Sequence, residues 1–236
     1  MLTLFRRKPL LEEAQSQWLQ QQFLWAVAQF DATLFSTETQ LVLPDNHFFP
    51  GRAGSHYEMG SLILKQVMTY SGIGHWPLTL ARSEEELHAL QTPFDFPKPL
   101  RHFKSELPMA IPPSGPLPLP WNPEQINQPQ ALIASLSTVI ARLLLESCDA
   151  TVTVDSERLP FTLEVIAISL GFGVMFANSA FTHRGGCGSC YNPNAIRQAA
   201  LSELEASYLL ALFCQRKGIT AAAVTPHLKS HLRGPF

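Results

Sequence analysis

Residues 131–146 read ALIASLSTVIARLLLE. The stretch is almost wholly apolar, yet Ser135, Thr138, Arg142 and Glu146 recur every three to four residues. On a helix that spacing aligns them as one polar stripe along an apolar rod. The stripe is either the wet side of a core helix or the floor of a site, and the choice decides whether the chain is built as an enzyme. Asn127 and Pro129 supply a helix start just upstream.

Outward from this helix, the C-terminal half reads as helical. LPFTLEVIAISLGFGVMFANSAF (159–181) predicts an apolar helix with breaking points near Gly171 and Gly173. AIRQAALSELEASYLLALFCQRKG (195–218) predicts a long amphipathic helix ended by Gly218. Before the first of these, ATVTVDS (150–156) alternates like a short hairpin arm, and between the two THRGGCGSCYNPN (182–194) reads as a loop. In the N-terminal half, residues 11–37 predict one long helix with Leu19, Phe23, Val27 and Phe30 on a shared face. TQLVLP (39–44) predicts a short strand, 45–55 a loop, 56–73 a second amphipathic helix stopped at Gly72 or Gly74, and WPLTLARS (76–83) another strand. Across 92–129 proline recurs from Pro93 to Pro120. Without a backbone donor, proline confines these residues to loops, polyproline-like runs or edge strands, and LPLPW (117–121) suits an edge strand. The expected fold is α+β and predominantly helical. It has one domain over 1–236, a small β-sheet and a proline-rich irregular excursion at 92–129.

Composition narrows the function classes. The 236 residues are 46% hydrophobic and only 15% charged, which favours a buried core over disorder. A net charge of −2 gives no global pull toward nucleic acid or an anionic membrane, and Arg6, Arg7 and Lys8 form too short a basic cluster to act as a patch. Those charges precede LLEEAQSQW rather than an apolar signal core, and no uninterrupted apolar run reaches the roughly 18 residues of a membrane span. A cytoplasmic, soluble protein is expected, with no nucleic-acid or membrane partner. Four cysteines do not make a disulfide scaffold in a chain of this length. Homo-oligomerisation stays open, because an apolar helix such as 159–181 serves a core or an interface equally well.

Cys187-Gly-Ser-Cys190, with His183 four residues earlier, is the strongest local motif. Two thiolates at this spacing chelate zinc or cycle as a dithiol. Zinc wants four ligands; His183 offers a third, and Cys148 or Cys214 a fourth. A redox CxxC opens a helix after a strand, whereas this one sits in a glycine-rich loop between helices. The favoured reading is a loop with two incidental thiols, with zinc second and redox third. His47, His56 and Glu58 surround the first loop, but His56 and Glu58 at i and i+2 point apart on a helix, so capping explains them better. Glu164 lies among valine, isoleucine and leucine. Buried unpaired, it would cost several kcal/mol or take up a proton, so burial implies a cation, a metal or a strong donor beside it.

Several stretches resemble a family of poorly characterised bacterial proteins that carry a zincin-like metallopeptidase helix. LPDNHFFPG (43–51) resembles its Leu-Pro-x-x-x-Phe-Phe-Pro signature, and QVMTYSGI (66–73) a following Val-Cys-x-Tyr-Met-Gly segment. INQPQALIASL (126–136) resembles the approach to the metal helix. LGFGVMFANSAF (170–181) resembles a Leu-Gly-x-Gly-x-x-x-Ala-Asn-x-Ala-Phe stretch, and YLLALFCQRKG (208–218) the helix near its C-terminus. In that family the helix matching 131–146 carries His-Glu-x-x-His: two histidines bind zinc, and the Glu activates water. The resemblance places the histidines at Thr138 and Arg142, the glutamate at Val139 and a downstream carboxylate at Glu164. Thr138 cannot replace an imidazole, Arg142 keeps its proton, and Val139 is no base. It therefore implies a zincin-like core of packed helices without zincin chemistry, hence no cofactor. It further implies a cleft between the 131–146 helix, Glu164 and the proline-rich strand. Arg142 is expected either to neutralise Glu164 in place of a metal or to pair with Glu146 one turn on.

Overall fold

The computed structural model describes residues 11–88, 96, 98–103, 115–148, 154–180, 195–234 and 236. Its centre is the stretch most apolar in sequence. Helix α6 (Leu159–Ala167), a π-helical turn (Ile168–Phe172) and helix α7 (Gly173–Ser179) follow one another, and residues 162–179 are buried without a break. A helix that is apolar all round needs neighbours on every side. Helix α5 (Pro129–Glu146) lies along α6 and α7, α8 (Glu203–Lys217) packs on α7, and α1 (Glu13–Gln29) covers α6 and α8. Helix α3 (His56–Ser71) packs on α5 and carries the sheet at its edge. Both Pro129–Glu146 and Leu159–Ser179 have the length and apolarity of a membrane span when single polar residues are averaged over; the second is mostly buried among its neighbours.

The sheet is two short parallel strands, β1 (Leu78–Leu80) and β2 (Leu117–Leu119), with Leu78 opposite Leu117. Pro118 sits in an edge strand, where the missing donor is tolerated. The chain is thus predominantly helical with a small sheet. Short helices α2 (Ala32–Thr37), α4 (Glu84–His88) and α9 (Ala221–Val224) complete the α-helices among the described residues, and three short 3-10 turns stand at Pro123–Asn127, Thr225–His227 and Ser230–Leu232.

Local chemistry accounts for where the elements begin and end. The long helix expected over 11–37 is broken at Asp31, whose φ of 77° leaves helical space. Its carboxylate then accepts from Thr33 and Leu34 N–H at 2.9 and 3.0 Å and caps α2. Ser55 caps α3, and Gly72 closes it in the left-handed conformation with φ 73°. Residues 39–44 form no strand. They run extended against the π-turn instead, and Val42 N–H donates to Gly171 C=O at 2.9 Å. Helix α8 starts at Glu203 rather than 195, because Ser202 and Glu205 form a capping box. Residues 149–153 and 181–194 lie outside the described residues, so the hairpin arm and the CxxC loop are not placed.

The proline-rich stretch is fastened to the core by single side chains. Phe96 stacks on the buried Trp76 with centroids 3.9 Å apart. Arg101 is buried and donates to Phe30 C=O at 2.6 Å, Ser71 C=O at 2.8 Å and Thr39 Oγ1 at 3.2 Å. It thereby satisfies carbonyls at the C-terminal ends of α1 and α3, where the helix dipole favours a cation. Burial lowers its guanidinium pKa to about 10, partly offset by the Asp31 charge.

Gly171 has φ 107°, and a Cβ there would stand 2.0 Å from Gln40 C=O. Gly173, on the adjoining turn, would push a Cβ to 2.9 Å from Leu210 of α8. One glycine admits the extended segment and the other admits a helix. Gly171→Ala is expected to destabilise the fold by about 3 kcal/mol or more, the sum of backbone strain and overpacking. Gly218→Ala, at φ 66° with nothing within 4 Å, should cost only about 1 kcal/mol. Urea denaturation of both variants measures the difference; equal losses would show that the contact with Gln40 does not matter.

Candidate functional site

Glu164 faces inward from α6 and is 3% exposed. Its Oε1 accepts from Arg197 Nη1 and from Ala200 N–H at 3.0 Å, and its Oε2 accepts from Leu201 N–H at 3.0 Å. Arg197 is equally buried. Its Nε donates to Ser179 Oγ at 3.0 Å, and its guanidinium lies 4.7 Å from the centroid of Phe176. Nη2 has no hydrogen-bond partner among the described residues. A buried carboxylate with one cation and two amide donors is compensated on both oxygens. The ion pair joins α6 to the irregular residues 196–202, and the amides of Ala200 and Leu201 stand just before the α8 cap.

The polar stripe on α5 grades from half-buried to exposed. Ser135 and Thr138 are half-buried, and Thr138 Oγ1 donates to Ala134 C=O at 2.9 Å within its own helix. Val139 packs against the core. Arg142 is more than half exposed and pairs with Glu146 at 2.9 Å. The expected Arg142–Glu164 pair is not formed, because Arg142 sits on the outer face of α5 while the cation beside Glu164 comes from the segment leading into α8. Neither of the two grooves described below is lined by Thr138, Val139, Arg142 or Glu164.

Of the CxxC motif, His183, Cys187 and Cys190 lie outside the described residues. Cys214 is packed in α8, and burial pushes its thiol up to about 11, which keeps it protonated at neutral pH. Cys148 donates to Leu144 C=O at 3.3 Å. Among the described residues no group of three His, Cys, Asp or Glu side chains stands close enough to hold a metal ion. Glu58 is a capping residue: Ser55 Oγ accepts its N–H at 3.2 Å, and its own carboxylate accepts Gly54 N–H at 3.0 Å.

Two of the surface grooves are lined by described residues. One, of about 740 Å³, is bordered by Tyr57, Arg82 and Trp121. Trp121 Nε1 donates to Ala81 C=O at 2.9 Å and Tyr57 OH to Leu80 C=O at 3.1 Å, so both aromatics spend their polar atoms securing β1. The other, of about 280 Å³, lies between the loop at 44–51, α3 and the first turns of α5. Near it, Asn178 of α7 donates to Gln130 Oε1 at 2.7 Å and His227 C=O at 2.8 Å and accepts Lys229 N–H at 2.9 Å, tying the C-terminal tail to α5. No family model, curated protein or solved structure matches this chain.

Arg197 escaped the sequence reading because 195–218 scans as one amphipathic helix. Ser202-Glu203-Leu204-Glu205 carried the signal that would have moved the start. Glu164→Leu and Arg197→Met should each cost about 3–5 kcal/mol, since each leaves an uncompensated buried group. The double variant Glu164→Leu/Arg197→Met should lose less than the two singles together. Denaturant melts of the four proteins close the cycle, and additive losses would mean that the pair is uncoupled.

Proposed function

We propose that this chain is a non-catalytic protein on a zincin-like scaffold, with a binding or structural role. The observation that supports this reading is the state of Glu164. In the resembled family its position would hold the carboxylate that completes a metal site. Here both oxygens are taken by Arg197 and two backbone amides. A metal would have to displace a buried guanidinium and leave it uncompensated. The other three positions agree: Thr138 bonds its own helix, Val139 has no base, and Arg142 faces water. A carboxylate once useful to a metal would thus serve as an internal strut.

Zinc content of the purified chain and its turnover of peptide and ester substrates test the reading together. Sub-stoichiometric zinc and background turnover are expected. One zinc per chain with peptide hydrolysis, both lost in Glu164→Gln, would overturn it. Stoichiometric zinc lost in Cys187→Ser would replace it with a metal site in the CxxC loop.

A further inference from the structure

The 280 Å³ cleft belongs to none of the elements holding Glu164, and its lining has a consistent chemistry. Met59, Leu62, Ile63 and Gln66 follow at i, i+3, i+4 and i+7, so one face of α3 makes a wall. Phe49 from the loop and Ile133 from α5 complete an apolar interior. Leu62 and Met59 are only partly covered, and methionine adapts its shape to what it meets. Asp45 is the one acidic or basic residue in that lining.

Asp45 is held in place by its own loop. Its Oδ1 accepts the N–H groups of His47 at 2.9 Å and Phe48 at 3.1 Å, and its backbone C=O accepts Phe49 N–H at 3.0 Å. Oδ2 takes no hydrogen bond among the described residues, and no lysine, arginine or histidine there lies within ion-pair reach of the carboxylate. Its charge reaches the cleft's neighbourhood: the Tyr70 phenol is raised first by burial and then by Asp45. Tyr70 OH in turn donates to Phe48 C=O at 2.9 Å, which stiffens the loop.

We infer that this cleft binds a small apolar amine, with its hydrocarbon body against Phe49, Leu62 and Ile133 and its ammonium on Asp45. The volume, at the small end of ligand pockets, suits a molecule of roughly ten non-hydrogen atoms. A fixed carboxylate at the mouth of an apolar wall favours a cation over its neutral or anionic isosteres, because the wall excludes part of the screening water. The inference goes beyond the scaffold reading and stands whether or not that reading holds.

Three isosteric probes test it on the wild-type chain by ligand-observed NMR and calorimetry: phenethylamine, 2-phenylethanol and phenylacetate. The amine should bind about tenfold or more tighter than the alcohol, and the acid most weakly. Asp45→Asn retains an oxygen to accept the two loop N–H groups. It should bring the amine down to the alcohol's affinity while leaving the alcohol unchanged. Leu62→Trp fills the cleft and should abolish binding of all three. Equal affinities across the series on the wild type, or no binding of the amine at millimolar concentration, would overturn the inference without reference to any variant. Amine binding that survives Leu62→Trp in a folded protein would place it elsewhere and overturn it too.

Discussion

A carboxylate cannot stay ionised inside a helical core without donors on every side, and this requirement organises the centre of the chain. Glu164 sits in the run 162–179, which is buried without a break. Its compensation is drawn from one short segment, residues 197–201, through a guanidinium and two amides. That segment has no regular hydrogen bonding of its own before the α8 cap. The carboxylate therefore does for 197–201 what a neighbouring strand would do elsewhere, and it sets the position from which α8 departs. Ser179 and Phe176 hold the guanidinium from α7, so the one polar cluster touches both halves of the kinked helix.

Cations recur where helices end. Arg101 closes α1 and α3, and Lys217 donates to Phe35 and Ser36 carbonyls at 2.7 and 2.8 Å beyond its own helix. Few charges are available in this chain. The buried Arg101 and the half-buried Lys217 lie against carbonyl groups with no partner inside the helix, where they neutralise dipole ends and replace lost hydration together. Arg101 also helps to hold the described part of the proline-rich stretch: its side chain and that of Phe96 pin it to the core, alongside the pairing of β2 with β1 and the bond from His102 N–H to Gly72 C=O.

How much of this was legible differs by kind of signal. Apolar periodicity placed the helices over 56–73, 131–146 and 159–181, because burial is a property of many residues at once. The strand over 39–44 looked regular but was not: its extended form is set by one hydrogen bond to Gly171, which no local pattern encodes. At Glu164 the sequence posed the right physical demand, a cation close by. It could not choose between arginines, since Arg142 is nearer in the chain and Arg197 is nearer in space. The cleft beside α3 was invisible because its wall and its carboxylate come from segments that only packing brings together.

The meeting of Val42 and Gly171 also bears on how the chain acquires its form. The π-turn puts Gly171 outside helical space, and what it gains is one hydrogen bond to a segment near the other end of the sequence. Until that segment arrives, 159–181 has no reason to kink and a straight helix is its better state. Segment docking and helix bending are then one event, closing a very long loop. The kink of the central rod and the seat of the segment around Val42 therefore depend on one another, although the two lie far apart in the chain.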